Sequence, residues 1–447
     1  MKTLLKNATL ISGFGSREAD LLIEDGRITR IEPEISLTAD REIDCTGKWV
    51  LPGMIDTHVH FRDPGLTHKG DVSTESGAAV AGGVTTICDM PNTIPPATTV
   101  DAVRDKQRIY EAQSRCNFGL YIGAAKENLE ELKKADTDDG IVAIKIFMAE
   151  STGEMTLAED VYLEPIFRET RKLIAVHAED EPRRLARLAA FQAGELPEAA
   201  GIASDNPYLH AVIRDNLCAA LGTRHAVDLA LKYRHRTHIL HMSAAEELDA
   251  LREGIEAGLV TGETCPQYLL FNREDIKSHG TRRIMNPALK GKEDNTALWR
   301  ALAAGVISQV TTDHAPHLIE EKAKPYGQAP AGLPGVQFVL PLMLTAAADG
   351  LLTVEQVVRL TAENPAANYG IRNKGYLKEG YDADLVIIDP GREHVLTDED
   401  VLSRCAWTPY DGRRLRAVVE TTLVNGVVAF ENGNVNPDVR GKQVVIG

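Results

Sequence analysis

The sequence has no apolar run of the about 18 residues that a membrane-spanning helix requires. Its first residues, Met1–Asn7, also lack the long apolar core and the small-residue cleavage site of a signal peptide. Because of these two absences, we expect neither a membrane-spanning protein nor a typical secreted protein. We therefore expect a cytoplasmic protein that has no membrane partner.

Paired cysteines are also missing. The six cysteines are scattered along the chain and none forms a CxxC pair. This pattern argues against a disulfide framework and against a zinc site built from thiolates. The residues are Cys45, Cys88, Cys116, Cys218, Cys265 and Cys405.

No long basic run is present, and the formal net charge is −16. A nucleic-acid partner is therefore not expected, because such proteins usually carry a basic patch. The net charge says little about a small-molecule substrate, since an anionic ligand requires only a locally positive site. The 447 residues suffice for a large barrel and an additional module. Whether the chain forms a homo-oligomer stays open at this level.

Both ends of the chain show short alternating apolar segments separated by turn residues, a pattern that predicts β-strands. Hairpin turns are predicted at Asp25-Gly26 and at Asn425-Gly426. Since the two β-rich ends flank a different middle, we predict one β-sandwich module made of residues 1–53 and 376–447.

The middle of the chain alternates apolar strand-like segments with longer helical patterns, such as Asp101–Arg115, Asp160–Lys172 and Ala244–Ala257. This alternation is typical of repeated βα units. Eight strands are predicted, at 54–60, 84–90, 117–124, 141–148, 173–177, 237–241, 259–265 and 306–313. The expected fold class is α/β, with a TIM-type (β/α)8 barrel over residues 54–375 as the catalytic domain.

His58 and His60 alternate along the first barrel strand, so their side chains should project from the same face. They stand near the end of the strand, where barrel enzymes build their active sites. Two imidazoles at this spacing can chelate one metal ion, although an HxH motif alone is a weak signal.

A lysine, Lys145, interrupts the apolar strand 141–148. Burying an ammonium group is costly unless it is paired or chemically changed. One interpretation is that the side chain reaches solvent or a carboxylate. The other is that CO2 converts the amine to a carbamate, an anionic oxygen ligand able to bridge two metal ions.

Three further strands end in residues that can bind metals. His177 ends the fifth, Asp313 ends the eighth together with His314 and His317, and the sixth carries both His238 and His241. His241 is preferred because it is nearer the strand end. Four histidines, one aspartate and one lysine at five strand ends predict a two-metal site. In such a site a hydroxide bridging the metals would attack a carbonyl, and Asp313 would transfer the proton as general acid and base.

This arrangement resembles the amidohydrolase superfamily, and within it the cyclic amide hydrolases, which include dihydroorotases, hydantoinases and allantoinases. The segment Gly47–Asp56, which leads into the first strand, is similar as well. The resemblance covers nearly the whole chain. It implies two divalent ions, expected to be Zn2+, with CO2 bound as the carbamate of Lys145. The implied metal ligands are His58, His60 and Asp313 for one ion, His177 and His241 for the other, and Lys145 as the bridge.

The loop motifs resemble those of the dihydroorotase group. The resemblance implies that Arg62, Asn92 and His317 bind a substrate carboxylate and that Asn286 contacts the ring. The segment Ala331–Val336 resembles the glycine-rich loop near the ring. The implied reaction is the reversible hydrolysis of dihydroorotate to N-carbamoyl-aspartate in pyrimidine biosynthesis.

Two alternatives remain open from the sequence. A hydantoinase or allantoinase would keep the metals but would give Arg62 no carboxylate to pair with. An inactive scaffold related to dihydroorotases should have lost metal ligands, whereas all six positions are intact here.

Overall fold

The computed structural model describes residues 2–150 and 155–447. Its strands are β1 (Lys2–Ser12), β2 (Gly15–Glu24), β3 (Arg27–Glu32), β4 (Arg41–Asp44), β5 (Trp49–Pro52), β6 (Met54–Val59), β7 (Val84–Asp89), β8 (Asn117–Gly123), β9 (Ile141–Phe147), β10 (Ile174–His177), β11 (Thr237–Ile239), β12 (Val260–Thr264), β13 (Gln309–Val310), β14 (Leu385–Asp389), β15 (His394–Val395), β16 (Arg414–Leu415), β17 (Val418–Val424), β18 (Val427–Glu431) and β19 (Asn434–Val435). Its α-helices are α1 (Val72–Ala81), α2 (Val100–Gln113), α3 (Leu129–Ala135), α4 (Asp160–Glu169), α5 (Glu181–Gln192), α6 (Leu209–Ile213), α7 (Asn216–Tyr233), α8 (Leu248–Glu256), α9 (Pro266–Leu270), α10 (Asp275–His279), α11 (Lys292–Ala303), α12 (Ile319–Lys322), α13 (Val339–Ala348), α14 (Val354–Val358) and α15 (Asn364–Tyr369).

The eight strands β6 to β13 form one sheet in which each strand lies beside the next along the chain. The pairings are parallel, as βα units require. The sheet closes through a parallel bridge between Val59 and His314, where the His60 amide donates to the His314 carbonyl at 2.7 Å. The predicted TIM-type barrel is therefore confirmed.

The predicted strand positions agree with the structure to within a few residues, and the eighth strand differs most. The sequence predicts this strand over 306–313, but the strand pairs only at Gln309–Val310. Asp313 has a left-handed backbone with φ of 47°, which cannot continue an extended strand. The three predicted helices correspond to α2, α4 and α8.

The chain termini form a nine-stranded sheet in the order β19-β18-β17-β14-β5-β1-β2-β3, with β4 beside β1. Both predicted hairpin turns are present, between β2 and β3 and between β17 and β18. Leu5 and Leu21 from the N-terminal part share one apolar cluster with Leu385 and Ile387 from the C-terminal part. The two ends therefore bury a common core. The exact limits of this module stay a prediction.

The segment between β15 and β16 packs against the barrel and not against the module core. Trp407 and Tyr410 are buried in the same apolar cluster as the barrel residues. The Trp407 indole donates to the His317 carbonyl at 2.8 Å, so this segment supports the mouth of the barrel. Among the helices of the described residues, none combines the length and apolarity needed to cross a membrane.

Candidate active site

The predicted metal ligands converge at the carboxyl end of the barrel. β6 carries His58 and leads into His60, β9 contains Lys145, and β10 ends at His177. His241 and Asp313 follow β11 and β13, respectively. All six side chains are buried. Parallel strands present their carboxyl ends at one edge of the barrel, which explains how residues far apart in sequence meet there.

His58, His60 and Asp313 form the first group. The Nε2 atoms of His58 and His60 lie 3.2 and 3.1 Å from the same Asp313 oxygen, Oδ1. Their ligand atoms lie within 4.8 Å of one another, a spacing suited to a single metal ion. Burial lowers the pKa of both imidazoles, which favours the neutral form that can coordinate a metal.

His177 and His241 form the second group. Nδ1 of His177 lies 2.9 Å from Nε2 of His241, and the His241 ring centroid is 5.2 Å from that of His58. Burial lowers the pKa of both rings. Since His177 Nε2–H donates to Glu179 at 3.0 Å, the His177 Nδ1 lone pair points toward His241. Two nitrogens aimed at each other in this way fit a shared cation.

Lys145 has no solvent-exposed surface, and its Nζ has no hydrogen-bond partner among the described residues. The atom lies 4.4 Å from the centroid of the Phe147 ring. Burial lowers the lysine pKa from 10.5 to about 7, so a large part of the amine is uncharged at neutral pH. A buried amine without a described partner, beside the predicted metal ligands, fits a site that is completed by bound groups.

Three residues of this region have left-handed backbones. The φ angles are 68° at Arg62, 39° at His241 and 47° at Asp313. Such conformations are costly in residues with a side chain and persist where the surrounding fold enforces them. Here they turn functional side chains toward the barrel mouth immediately after their strands end.

Glu263 of β12 was missed in the sequence, and it is completely buried behind His58. Its Oε1 accepts from His58 Nδ1 at 2.7 Å, while Oε2 accepts from His238 at 3.1 Å and from Gln309 at 3.0 Å. A carboxylate behind a histidine ligand fixes its tautomer and strengthens its basicity. The only available signal was an acidic residue at the end of a predicted buried strand.

Glu179 plays the corresponding part behind His177 and was also missed. Besides accepting from His177 Nε2, it forms a buried ion pair with Arg214.

The structure places the two histidines near β11 in different surroundings. His238 bonds Glu263 and Thr261 Oγ1, whereas the preferred His241 faces His177.

Arg62 is 2% exposed, and no described carboxylate lies within ion-pair distance of its guanidinium. Its Nε donates to the Pro316 carbonyl at 3.1 Å, and one terminal nitrogen lies 3.1 Å from His317 Nε2. Lys69, which the sequence did not single out, donates to His317 Nδ1 at 3.1 Å. Lys69 also forms an ion pair with Glu321 at 3.2 Å. Burial and the two neighbouring cations, Arg62 and Lys69, lower the pKa of His317 well below its usual value, so its ring is neutral.

The remaining predicted substrate residues occupy different positions. The Asn92 oxygen accepts from His60 Nδ1 at 2.7 Å, so Asn92 orients His60, a predicted metal ligand, and the sequence did not predict this contact. The Oδ1 atom of Asn286 is buried without a hydrogen-bond partner in the described part of the chain. An unpaired buried carbonyl is available to a donor group such as a ring N–H.

A closed barrel with a His-His-Asp cluster at its carboxyl end defines a metal-dependent hydrolase architecture. Residues 49–429 match the model of the Amidohydrolase family. The chain belongs to this family and is a hydrolase.

Individual relatives agree with this assignment. The chain is 35% identical to a dihydroorotase of Methanosarcina acetivorans, covering 97% of this chain and 92% of the relative. It is also 35% identical to a dihydroorotase of Halobacterium salinarum, covering 97% of each. Among solved structures, an L-hydantoinase (dihydropyrimidinase) from Arthrobacter aurescens superposes with a TM-score of 0.92 at 32% identity, covering 99% of both chains.

Proposed function

We propose that this protein is a dihydroorotase, which reversibly hydrolyses the cyclic amide of dihydroorotate to N-carbamoyl-aspartate. The observation that carries the proposal is Arg62, a buried arginine beside the predicted metal ligands that has no described carboxylate partner. A buried cation is costly unless an anion compensates it. The carboxylate of dihydroorotate would supply this anion, and a planar guanidinium binds a carboxylate through two parallel hydrogen bonds.

Sequence relatives support the same substrate. Several relatives that match nearly the full chain are dihydroorotases. The L-hydantoinase shares the fold. A hydantoin ring, however, has no carboxylate that could pair with Arg62. An uncharged ring would leave the Arg62 charge uncompensated, which disfavours a hydantoinase.

We further propose that His58, His60 and Asp313 hold one divalent ion and that His177 and His241 hold a second. Both ions are expected to be Zn2+, which accepts histidine nitrogen and carboxylate oxygen. Two bound divalent ions would lower the pKa of a water molecule and polarise the substrate carbonyl. The convergence of two imidazole nitrogens on one Asp313 oxygen supports this assignment.

Lys145 would carry the bridge as a carbamate. Carboxylation requires an uncharged amine, and burial lowers the pKa of Lys145 to about 7. Its Nζ has no other described hydrogen-bond partner that would compete for the nitrogen lone pair or the protons. The carbamate would replace a buried amine that has no described hydrogen-bond partner with an anion beside the two histidine groups.

Asp313 would move the proton. Its carboxylate accepts a proton from the attacking water and delivers it to the ring nitrogen that leaves. Burial raises the pKa of Asp313, which makes the carboxyl group a better proton acceptor than an exposed aspartate. Arg62 and His317 hold the substrate carboxylate meanwhile, and Asn286 accepts from the ring.

The deciding experiment measures turnover of dihydroorotate, hydantoin and allantoin by purified protein before and after metal removal. We expect turnover of dihydroorotate alone, its loss with chelator and its return with Zn2+. Preferred turnover of hydantoin or allantoin would refute the proposed substrate. Protein that binds no Zn2+ and turns over none of these rings after Zn2+ is added would favour the inactive scaffold.

A further inference from the structure

His314 follows Asp313 directly and is not used by the proposed reaction. Its ring is buried and lies edge-on to Phe61, with ring centroids 5.9 Å apart. Its backbone forms the bridge to Val59 that closes the barrel and a second bridge to Leu333 in the glycine-rich loop. This histidine therefore joins the closure of the barrel to the loop 331–336.

The ring nitrogens of His314 have well-defined partners. Nδ1 accepts from the Gly335 amide at 3.0 Å and the Val336 amide at 3.3 Å. Two N–H donors leave Nδ1 without a proton, so Nε2 carries it and donates to Glu75 Oε2 at 2.8 Å. These partners hold the His314 ring in the tautomer that carries its proton on Nε2.

The Glu75 carboxylate also accepts hydrogen bonds from residues other than His314. It lies on α1 with no exposed surface. It accepts from the Ser403 hydroxyl at 2.5 Å and from the Arg404 amide at 3.0 Å. Helix α1 and the segment near residue 403 consequently anchor the Glu75 carboxylate, and through it the His314 ring.

The loop 331–336, which His314 binds, contacts His317, one of the residues predicted to bind the substrate carboxylate. The Ala331 carbonyl accepts from His317 Nε2 at 3.0 Å. A Cβ atom at Gly332 would lie 2.7 Å from the Ala315 carbonyl oxygen and 3.0 Å from the His317 ring, so only glycine permits this close approach. The carbonyl of Pro316, the residue before His317, accepts from Arg62 Nε at 3.1 Å. A continuous set of contacts therefore leads from Glu75 to Arg62.

We propose that the Glu75–His314 pair is a positioning device for anion recognition. By accepting the Gly335 and Val336 amides, His314 holds the loop 331–336 in the conformation that fixes His317 and, through the adjacent Pro316 carbonyl, Arg62. This inference rests on the proposed dihydroorotase function. His314 acts through the loop and does not touch substrate.

The test compares two substitutions of similar size. His314→Asn keeps an acceptor oxygen near the position of Nδ1, whereas His314→Leu removes it. Hydrogen exchange of the peptide covering 331–337, followed by mass spectrometry, reports on the loop without any substrate. Steady-state kinetics with dihydroorotate then separates KM from kcat, and zinc content shows whether the metal ligands are intact.

We expect His314→Leu to accelerate exchange of the loop amides and to raise KM for dihydroorotate about tenfold, the effect of losing roughly one hydrogen bond. Zinc content should stay at the wild-type level, and His314→Asn should remain within about threefold of wild type. Glu75→Gln should resemble His314→Leu, because its amide N–H would face other donors.

Unchanged loop exchange in His314→Leu would overturn the proposal. So would a loss of kcat with unchanged KM, or equal defects in the Leu and Asn variants, since these indicate a purely structural role. Failure of the proposed function itself would appear differently, as absence of dihydroorotate turnover in wild-type protein, and the exchange comparison would still decide whether His314 holds the loop.

Discussion

His58 Nδ1 donates to Glu263 Oε1 across 2.7 Å in the buried interior of the barrel. This contact leaves Nε2 of His58 as the nitrogen that faces Asp313 at 3.2 Å. The carboxylate therefore determines which imidazole nitrogen is available to a metal. Its second oxygen is saturated by donors from His238 and Gln309, so the group is fixed in place.

The first prediction follows from this geometry. Glu263→Gln should lower metal affinity by about 10- to 100-fold, because an amide cannot accept from both sides and carries no charge. Zinc retained after dialysis against graded concentrations of chelator measures the effect. Glu179→Gln should give a comparable loss through His177, whereas exposed Glu130→Gln should retain wild-type metal content. Full retention in Glu263→Gln would contradict the assigned role of this carboxylate.

The second prediction concerns two buried lysines. Burial lowers the pKa of both Lys145 and Lys322 to about 7. Lys322 Nζ donates to the Ile284 and Pro330 carbonyls at 3.0 and 2.8 Å, but Lys145 has no described hydrogen-bond partner. We therefore expect CO2 to modify Lys145 alone. Protein reconstituted with 13C-bicarbonate and zinc should show one carbamate signal by NMR.

The matched variants make this test specific. The carbamate signal should vanish in Lys145→Ala and persist in Lys322→Met. Lys145→Ala should also lose at least one metal ion and nearly all activity, with partial recovery when a short carboxylic acid is added. A fully metal-loaded protein with an unmodified Lys145 would rule out the carbamate.

The third prediction concerns proton transfer by Asp313. Asp313→Asn should preserve the fold and reduce the rate by about 10²- to 10⁴-fold or more, the range for general acid–base catalysis. Circular dichroism checks the fold, and turnover is measured in both directions. A variant with near-normal turnover would exclude Asp313 as the proton carrier.

The pH dependence supplies the fourth prediction. Ring opening requires the Asp313 carboxylate, so kcat/KM for dihydroorotate should rise as pH rises through its pKa, which burial raises. Cyclisation of N-carbamoyl-aspartate requires the protonated acid, so its rate should fall over the same interval. Parallel pH profiles in the two directions would argue against a single group serving both steps.

The fifth prediction decides the substrate. Arg62→Met should cost roughly 2–5 kcal/mol of transition-state binding for dihydroorotate, as expected when a buried charge pair is broken. The loss should be much smaller for dihydrouracil, which has no carboxylate. Arg283→Met is the matched control. Burial lowers the pKa of both arginines to about 10, yet Arg283 lies over the Phe271 ring. Equal losses on both rings in Arg62→Met would remove the basis for the dihydroorotase proposal.

Local patterns in the sequence were sufficient to predict the barrel and the positions of its strands. Alternating apolar residues mark strands whatever their partners, and His58, His60, His177 and Asp313 could be placed at strand ends from chain position alone. The β-rich ends were also recognisable, because hairpin turns such as Asn425-Gly426 have a local chemical signature.

Tertiary structure decided what these residues contact. Barrel closure brings Glu263 behind His58, 205 positions away in sequence, and brings Asp313 to His60 across 253 positions. Barrel closure also brings Asn92 into hydrogen-bond contact with His60, and Glu75 into hydrogen-bond contact with His314. No local pattern encodes such pairs, since their distances depend on how eight strands close and on where the left-handed residues turn the chain. The sequence by itself determined which groups stand at the barrel mouth, and only the closed barrel determined which of them meet.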